Sequence, residues 1–129
     1  MTLPRKPQAC HSARKTHGVT TVVNNHELAP QARMDTIVDQ NRRALAWLWN
    51  NADAFGGDRN RIYVCGHSAG GHLASMMLAC RWKELGADLP RDLVRKAMSI
   101  SGLFDLEPVR KTPFVQGDLR LTPGQVKLA

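Results

Sequence analysis

The chain has 129 residues, a length that suits one domain built around one hydrophobic core. Its composition of 43% hydrophobic and 22% charged residues is typical of globular proteins and argues against a disordered chain. No apolar run approaches the roughly 20 residues that cross a bilayer, and no apolar stretch follows the basic amino terminus. We therefore expect a cytoplasmic protein with no membrane partner.

The net charge of +7 raises the question of nucleic-acid binding, since clustered Lys and Arg side chains neutralise phosphates. Here the basic residues are spread along the chain, including residues 5–15, 42–43 and 91–111. Only three Phe and one Tyr accompany them, and no nucleic-acid-binding motif surrounds them. We interpret the charge as solvated surface and expect no nucleic-acid partner.

The cysteines predict neither a disulfide framework nor a zinc site. They are odd in number and show no Cys-x-x-Cys spacing, so Cys10, Cys65 and Cys80 are expected to be free thiols. The glycine-rich stretch at residues 66–71 lacks the Lys-Ser/Thr ending of a phosphate-binding loop. We expect no cofactor and no metal.

The predicted elements begin after a lead-in. Residues 1–18 show no periodicity and are expected to be poorly ordered, so the domain itself covers residues 19–129. A β-branched run predicts a first strand near residues 19–24. Apolar residues at spacings of three, four and seven then predict a helix near residues 34–55.

The ends of this first helix have their own predicted residues. Asp35 or Thr36 can cap its start by accepting backbone N–H bonds, and Gly56 and Gly57 supply a left-handed residue at its end. Two Trp residues two positions apart, Trp47 and Trp49, cannot share one stripe, so one of them is expected at the border of the packed face.

The remaining pattern alternates strand and helix. A compact apolar run near residues 62–65 predicts a strand buried on both faces of a parallel sheet, and a helix near 69–82 follows it. A further strand is expected near 96–100, and Pro123 opens a short terminal helix. This order predicts an α/β fold with three layers, in which helices cover a parallel sheet.

Between the second strand and its helix lies Gly66-His67-Ser68-Ala69-Gly70, the Gly-x-Ser-x-Gly pattern of a nucleophile elbow. Gly66 and Gly70 are expected to let the tight turn close without a clash. The turn lifts the Ser68 hydroxyl clear of the sheet as a nucleophile, and the Ala69 N–H is directed at the oxyanion. His67 is expected to face away from the pocket or toward a neighbouring loop. The alternative is a turn of this shape without chemistry.

Three segments carry a family pattern: Asn25-His26-Glu27-Leu28-Ala29-Pro30, residues 62–74, and Ser101-Gly102-Leu103-Phe104-Asp105-Leu106-Glu107-Pro108. They resemble segments of hormone-sensitive-lipase-like and kynurenine-formamidase-like α/β-hydrolases. The first three residues of the first segment depart from the family pattern, and the third segment favours the formamidase-like branch. The resemblance covers about residues 19–122. It implies a partial α/β-hydrolase fold, a Ser68 nucleophile, the Ala69 amide as half of an oxyanion hole, and a small ester or N-formyl amide substrate.

The partners of the nucleophile are harder to place. In this fold the acid and then the histidine follow the serine, and His72 is the only histidine after Ser68. One helical turn away, it is expected to be a packing or hydrogen-bonding residue. Asp105 is a candidate acid, with a loop-capping role as the alternative. The family's upstream His-Gly-Gly segment, a second oxyanion donor, is reduced to His17-Gly18.

Two hypotheses follow. The chain is a fragment of a serine hydrolase that lacks the triad histidine and the second oxyanion donor, and it is weak or inactive alone. Alternatively, it is a non-catalytic remnant or interaction module of the same fold, whose open sheet edges promote self-association.

Overall fold

The structure is a computed structural model that describes residues 8–10 and 17–128. Most of the predicted lead-in at residues 1–18 therefore lies outside the described residues. The sequence predicts no strand there, whereas the structure forms a short one, β1, at Gln8–Cys10. The boundary between a lead-in and a domain stays a prediction.

The predicted first strand is found as β2, Thr21–Val23, but its partner differs from the expected one. It pairs antiparallel with β1, with Ala9 opposite Val22, in a two-stranded sheet. A parallel pair needs a crossover of a dozen or more residues, and the connection between these two strands is shorter. The prediction that β2 belongs to the parallel sheet is therefore wrong.

Helix α1 spans Met34–Asn51, and a 3-10 turn at Ala52–Phe55 extends it to the predicted end. Gly56 stops it in the left-handed region with φ of 66°, as expected. The capping prediction is wrong, because the helix begins before Asp35 and no side chain caps it. Asp35 instead lies in the first turn, where its Oδ1 accepts a hydrogen bond of 2.9 Å from the N–H of Thr36.

The predicted parallel pair is present. Strand β3, Tyr63–His67, runs parallel to β4, Lys96–Ile100, in a register that begins at Tyr63 opposite Lys96. Helix α2, Ala69–Ala79, connects to β4 through a short helix α3, Trp82–Leu85. Since the backbone is already extended at Cys80, α2 ends earlier than residue 82. The break lets the Trp82 side chain enter the core, where it is fully buried.

The core lies between α1, α2 and one face of this sheet. Its buried members come from the strand ends, α2, α3 and the connection before β4: Ile62, Met77, Trp82, Leu89, Leu93 and Val94. From α1, Val38, Leu45 and Trp49 pack against them. Trp47 lies at the border, where its ring meets Phe55 edge-on at 5.8 Å between centroids. One Trp inside and one at the border is the predicted arrangement.

The parallel sheet with helices confirms the fold class, but the expectation of burial on both strand faces is wrong. The face toward α2, here called the inner face, carries Val64, Gly66, Ala97 and Ser99. The opposite, outer face is exposed among the described residues and carries Tyr63, Cys65, His67, Lys96, Met98 and Ile100. An apolar strand sequence fixes no partner for its second face, and here none of the described elements covers it.

Three helices follow β4. Helix α6, Pro123–Leu128, confirms the prediction of a terminal helix, while α4, Leu106–Lys111, and α5, Pro113–Leu119, were not predicted. Both begin at sequence features that favour a helix start, a capping Asp105 before α4 and a proline in the first turn of α5. Among the described helices, none is long and apolar enough to cross a membrane.

Candidate active site

Ser68 is the single residue between the end of β3 and the start of α2. Its backbone has φ of 55° and ψ of −118°, a region that L-residues rarely occupy because the Cβ crowds the main chain. The residue is half-buried rather than enclosed, and it lies in a turn outside both the strand and the helix. This is the sharp strand-to-helix turn that the sequence predicts.

Three backbone hydrogen bonds hold the turn in this strained conformation. The Ser68 N–H donates to the Ile100 carbonyl at 2.8 Å, which joins the turn to the end of β4. The Ser68 carbonyl accepts from the N–H groups of Gly71 at 2.9 Å and His72 at 3.1 Å. Because the main chain is fixed on both sides, the energy of the unfavourable φ is offset by the surrounding structure.

The two glycines of the motif contribute unequally. A Cβ added at Gly66 would overlap the carbonyl group of Gly70, so the turn closes only with glycine there. A Cβ added at Gly70 would meet no atom within 4 Å. The expectation that both glycines are needed sterically is therefore correct for Gly66 and wrong for Gly70, where an added Cβ has open space.

A second pair of glycines, which the sequence analysis missed, brings α2 onto β4. A Cβ at Gly71 would lie 2.7 Å from the Ser99 Oγ and 3.0 Å from the Gly102 Cα. A Cβ at Gly102 would also overlap the Ser99 Oγ. The Ser99 hydroxyl thus occupies the space between the two glycines. The glycine after the motif and the Ser-Gly pair after β4 were the available sequence features.

The Ala69 amide has the properties of an oxyanion donor. Ala69 is the first residue of α2 and is exposed. The first N–H groups of a helix have no acceptor within the helix, and the helix dipole places positive potential there. An oxyanion that forms next to Ser68 can accept from such a group. The donor role stays a prediction, and the geometry is compatible with it.

The His72 ring is not placed to act as the general base for Ser68. It is 5% exposed, and its Nδ1–H donates to the Leu103 carbonyl at 2.7 Å. Its Nε2 is buried and has no hydrogen-bond partner among the described residues. Within the same part of the chain, the Ser68 hydroxyl forms no hydrogen bond. His67 is exposed on the outer face, and the His72 ring bonds Leu103, so neither imidazole is hydrogen-bonded to the Ser68 hydroxyl among the described residues.

Asp105 caps α4, the alternative role considered for it. Its Oδ1 accepts from the Glu107 N–H at 3.1 Å. Further along the same helix, a hydrogen bond from the Arg110 side chain, with help from Lys111, lowers the pKa of Glu107 to about 2. The acid role of Asp105 stays a prediction.

The other end of α2 forms a cleft without the features of a catalytic site. The cleft has a volume of about 170 Å³ and is lined by residues that include Arg42, Cys80 and Glu84. Burial raises the pKa of the Cys80 thiol, and the nearby Arg42 opposes this effect. Cys65 and Cys80 are free thiols. Over the described residues, no group of three or more His, Cys, Asp or Glu side chains is arranged to hold a metal ion.

Sequence comparison agrees with the geometry. Residues 2–126 match the alpha/beta hydrolase fold family, and the chain belongs to that family. It is 34% identical to kynurenine formamidase of Salmo salar and 33% identical to kynurenine formamidase of Danio rerio, each over 105 residues. It is 38% identical over 93 residues to Esterase LipC of Mycobacterium tuberculosis.

These similarities cover most of this chain and a smaller part of the relatives. The aligned region is 81% of this chain and 33% of each formamidase, and 69% of this chain and 23% of the esterase. The chain therefore spans about a third of the length of the formamidases it matches. The predicted resemblance to formamidase-like and lipase-like hydrolases is confirmed at the level of the family.

Proposed function

We propose that this protein contributes the nucleophile of a serine hydrolase that acts on a small carboxylic ester or N-formyl amide. The observation that carries the proposal is the strained backbone of the half-buried residue Ser68 at the junction of β3 and α2, with φ of 55°. Strain of this kind persists where the surrounding structure enforces it, and it is concentrated at functional sites.

In the proposed reaction, the Ser68 Oγ bonds to the substrate carbonyl carbon and its proton passes to a general base. The resulting oxyanion accepts a hydrogen bond from the Ala69 N–H. The alcohol or amine then leaves with a proton, and water releases the acyl group from Ser68. We assign no base or acid, because His72 is bonded to Leu103 and Asp105 caps α4.

The relatives support the substrate class. The formamidases and the esterase to which the chain is similar are named for amide and ester hydrolysis. A serine with one oxyanion donor and no assigned base is expected to react slowly, since loss of a triad member removes most of the rate. We therefore propose weak activity for the chain alone. The expected cytoplasmic location and the absence of nucleic-acid and membrane partners stay predictions.

Labelling with a fluorophosphonate probe and peptide mapping tests this function. We expect an adduct on Ser68 that disappears in S68A. S75A is a matched control, because the Ser75 hydroxyl lies in the same helix and donates to the Gly71 carbonyl at 3.2 Å. If a full-length relative is labelled and Ser68 is not, the proposed nucleophile is wrong.

The outer face favours a second candidate, an interaction module that associates with itself. Each sheet in the described residues has two strands, so every strand has an unpaired edge. The apolar side chains of Tyr63, Met98 and Ile100 add an exposed patch next to these edges. Sedimentation velocity over a concentration series is expected to show association that M98K reduces. A monomer at all concentrations would eliminate this candidate.

A further inference from the structure

His72 contacts two segments, the turn at Ser68 and the loop that follows β4. Its backbone N–H donates to the Ser68 carbonyl at 3.1 Å, and its ring donates to the Leu103 carbonyl at 2.7 Å. One residue therefore links the turn that carries the nucleophile to the loop that follows β4. A buried ring with a fixed hydrogen bond has little freedom to move, so this link is well defined.

The loop after β4, residues 101–105, depends on this link. It leaves the strand through Ser101, which has φ of 51°, and passes close to α2 at Gly102. It then exposes two apolar side chains, Leu103 and Phe104, the latter 64% exposed. Because Ile100 accepts the Ser68 N–H immediately before this loop, and Leu103 accepts from the His72 ring within it, the stretch 100–103 is tied to the elbow at both of its ends.

The contacts form a closed circuit. The chain runs from Ile100 to Leu103, the His72 ring binds Leu103, the His72 N–H binds Ser68, and the Ser68 N–H returns to Ile100. We propose that His72 is a positioning residue for the nucleophile, holding the loop at residues 101–105 against the elbow so that Ser68 keeps its positive φ. The labelling test of this proposal rests on the proposed function, whereas the hydrogen-exchange test does not.

The chemistry of the link specifies which substitution preserves it. A carbonyl oxygen only accepts, so His72 carries its proton on Nδ1. An Asn side chain places an N–H near the position of the histidine Nδ1, whereas Leu fills a similar space without a donor. H72N should therefore keep the link, and H72L should leave the Leu103 carbonyl without its donor.

Amide hydrogen exchange measures the circuit directly and needs no activity. In H72L we expect the Ser68 amide to exchange roughly tenfold faster, the size expected for loss of one partly buried hydrogen bond. The control amide is that of Arg95, which donates to the Ile62 carbonyl at 2.9 Å at the other end of the same strand pair. It should be unchanged, and H72N should restore the Ser68 rate.

A control variant separates positioning from general stability. M77L changes another buried residue of α2 and should speed exchange at the Ser68 and Arg95 amides by the same factor. If H72L also speeds both amides equally, or H72N behaves like H72L, His72 is a packing residue and the proposal is overturned. H72M, which likewise lacks a side-chain N–H donor and is judged by the same criteria, replaces H72L if that variant does not fold.

The second arm measures fluorophosphonate labelling of Ser68 over a range of probe concentrations. H72L is expected to lower the rate at saturating probe roughly tenfold, with a smaller change in the concentration for half-maximal rate, and H72N should match the wild type. Equal labelling rates in all three proteins would overturn the proposal. If the wild type is not labelled, the proposed function fails, while the exchange experiment still decides the role of His72.

Discussion

The two faces of the β3–β4 sheet are made by the same ten strand residues and yet are organised in opposite ways. On the inner face, Gly66 and Ser99 lie so close to α2 that single added atoms would overlap. On the outer face, Tyr63 and Met98 extend their side chains into solvent. The close side-chain contacts that shape the elbow thus lie on the inner face of the sheet.

The largest expected contrast compares two methionines. Met77 is 3% exposed in the core, and Met98 is 58% exposed on the outer face. M77A should lower the free energy of unfolding by about 2–5 kcal/mol because it leaves a cavity. M98A should change it by less than about 0.5 kcal/mol, as measured by urea denaturation. An equal cost for both variants would show that the outer face is covered in solution.

The two motif glycines provide the next contrast. G66A should destabilise the protein by roughly 3 kcal/mol or prevent folding, because the Cβ overlaps the Gly70 carbonyl group. G70A has open space around its Cβ and a helical position, so it should be neutral or stabilise by up to about 1 kcal/mol. Thermal and urea denaturation measure both. Similar losses in the two variants would contradict the unequal roles assigned here.

A smaller effect is expected where α2 meets β4. G71A brings its Cβ to 2.7 Å from the Ser99 Oγ, so S99A should partly relieve the clash. A double-mutant cycle on unfolding free energies is expected to give a favourable coupling of about 1 kcal/mol. S99A alone should be nearly neutral, because its buried hydroxyl has no partner among the described residues. Additive effects would show that the two residues do not meet.

The smallest contrast concerns the alkylation rates of two cysteine thiols. Cys65 is exposed on the outer face, whereas Cys80 is half-buried beside the core. Burial raises the pKa of Cys80, so less of it is thiolate at neutral pH, and iodoacetamide should alkylate it roughly tenfold more slowly than Cys65. The Cys80 rate should keep rising with pH above the usual thiol range. Mass spectrometry of the two peptides measures both rates, and faster reaction at Cys80 would contradict this order.

Much of the inner side of the fold was predictable from the sequence. Periodic apolar residues predict α1 and α2, and the turn around Ser68 follows from glycine spacing next to a strand. These features are local, because each depends on residues within a few turns of one another. The family follows from three such segments in order, and the comparison with known hydrolases confirms it.

The features that the sequence left open depend on distant residues. The partner of His72 is Leu103, which lies 31 residues further along the chain, and no pattern near His72 indicates it. The strand run at residues 62–65 is apolar whether one or both of its faces are covered. Helices α4 and α5 have six and seven residues, too few for a helical period to stand out.

Ile100 takes part in both faces at once. Its carbonyl oxygen receives the Ser68 N–H, while its side chain is exposed on the opposite surface. The Ser68 backbone therefore adds one hydrogen bond to the β3–β4 ladder beyond the end of β3. The position of the Ser68 hydroxyl is thus set relative to Ile100, a residue that solvent can reach. A molecule that binds the Ile100 side chain from the outer face would therefore contact the residue whose carbonyl holds the Ser68 backbone.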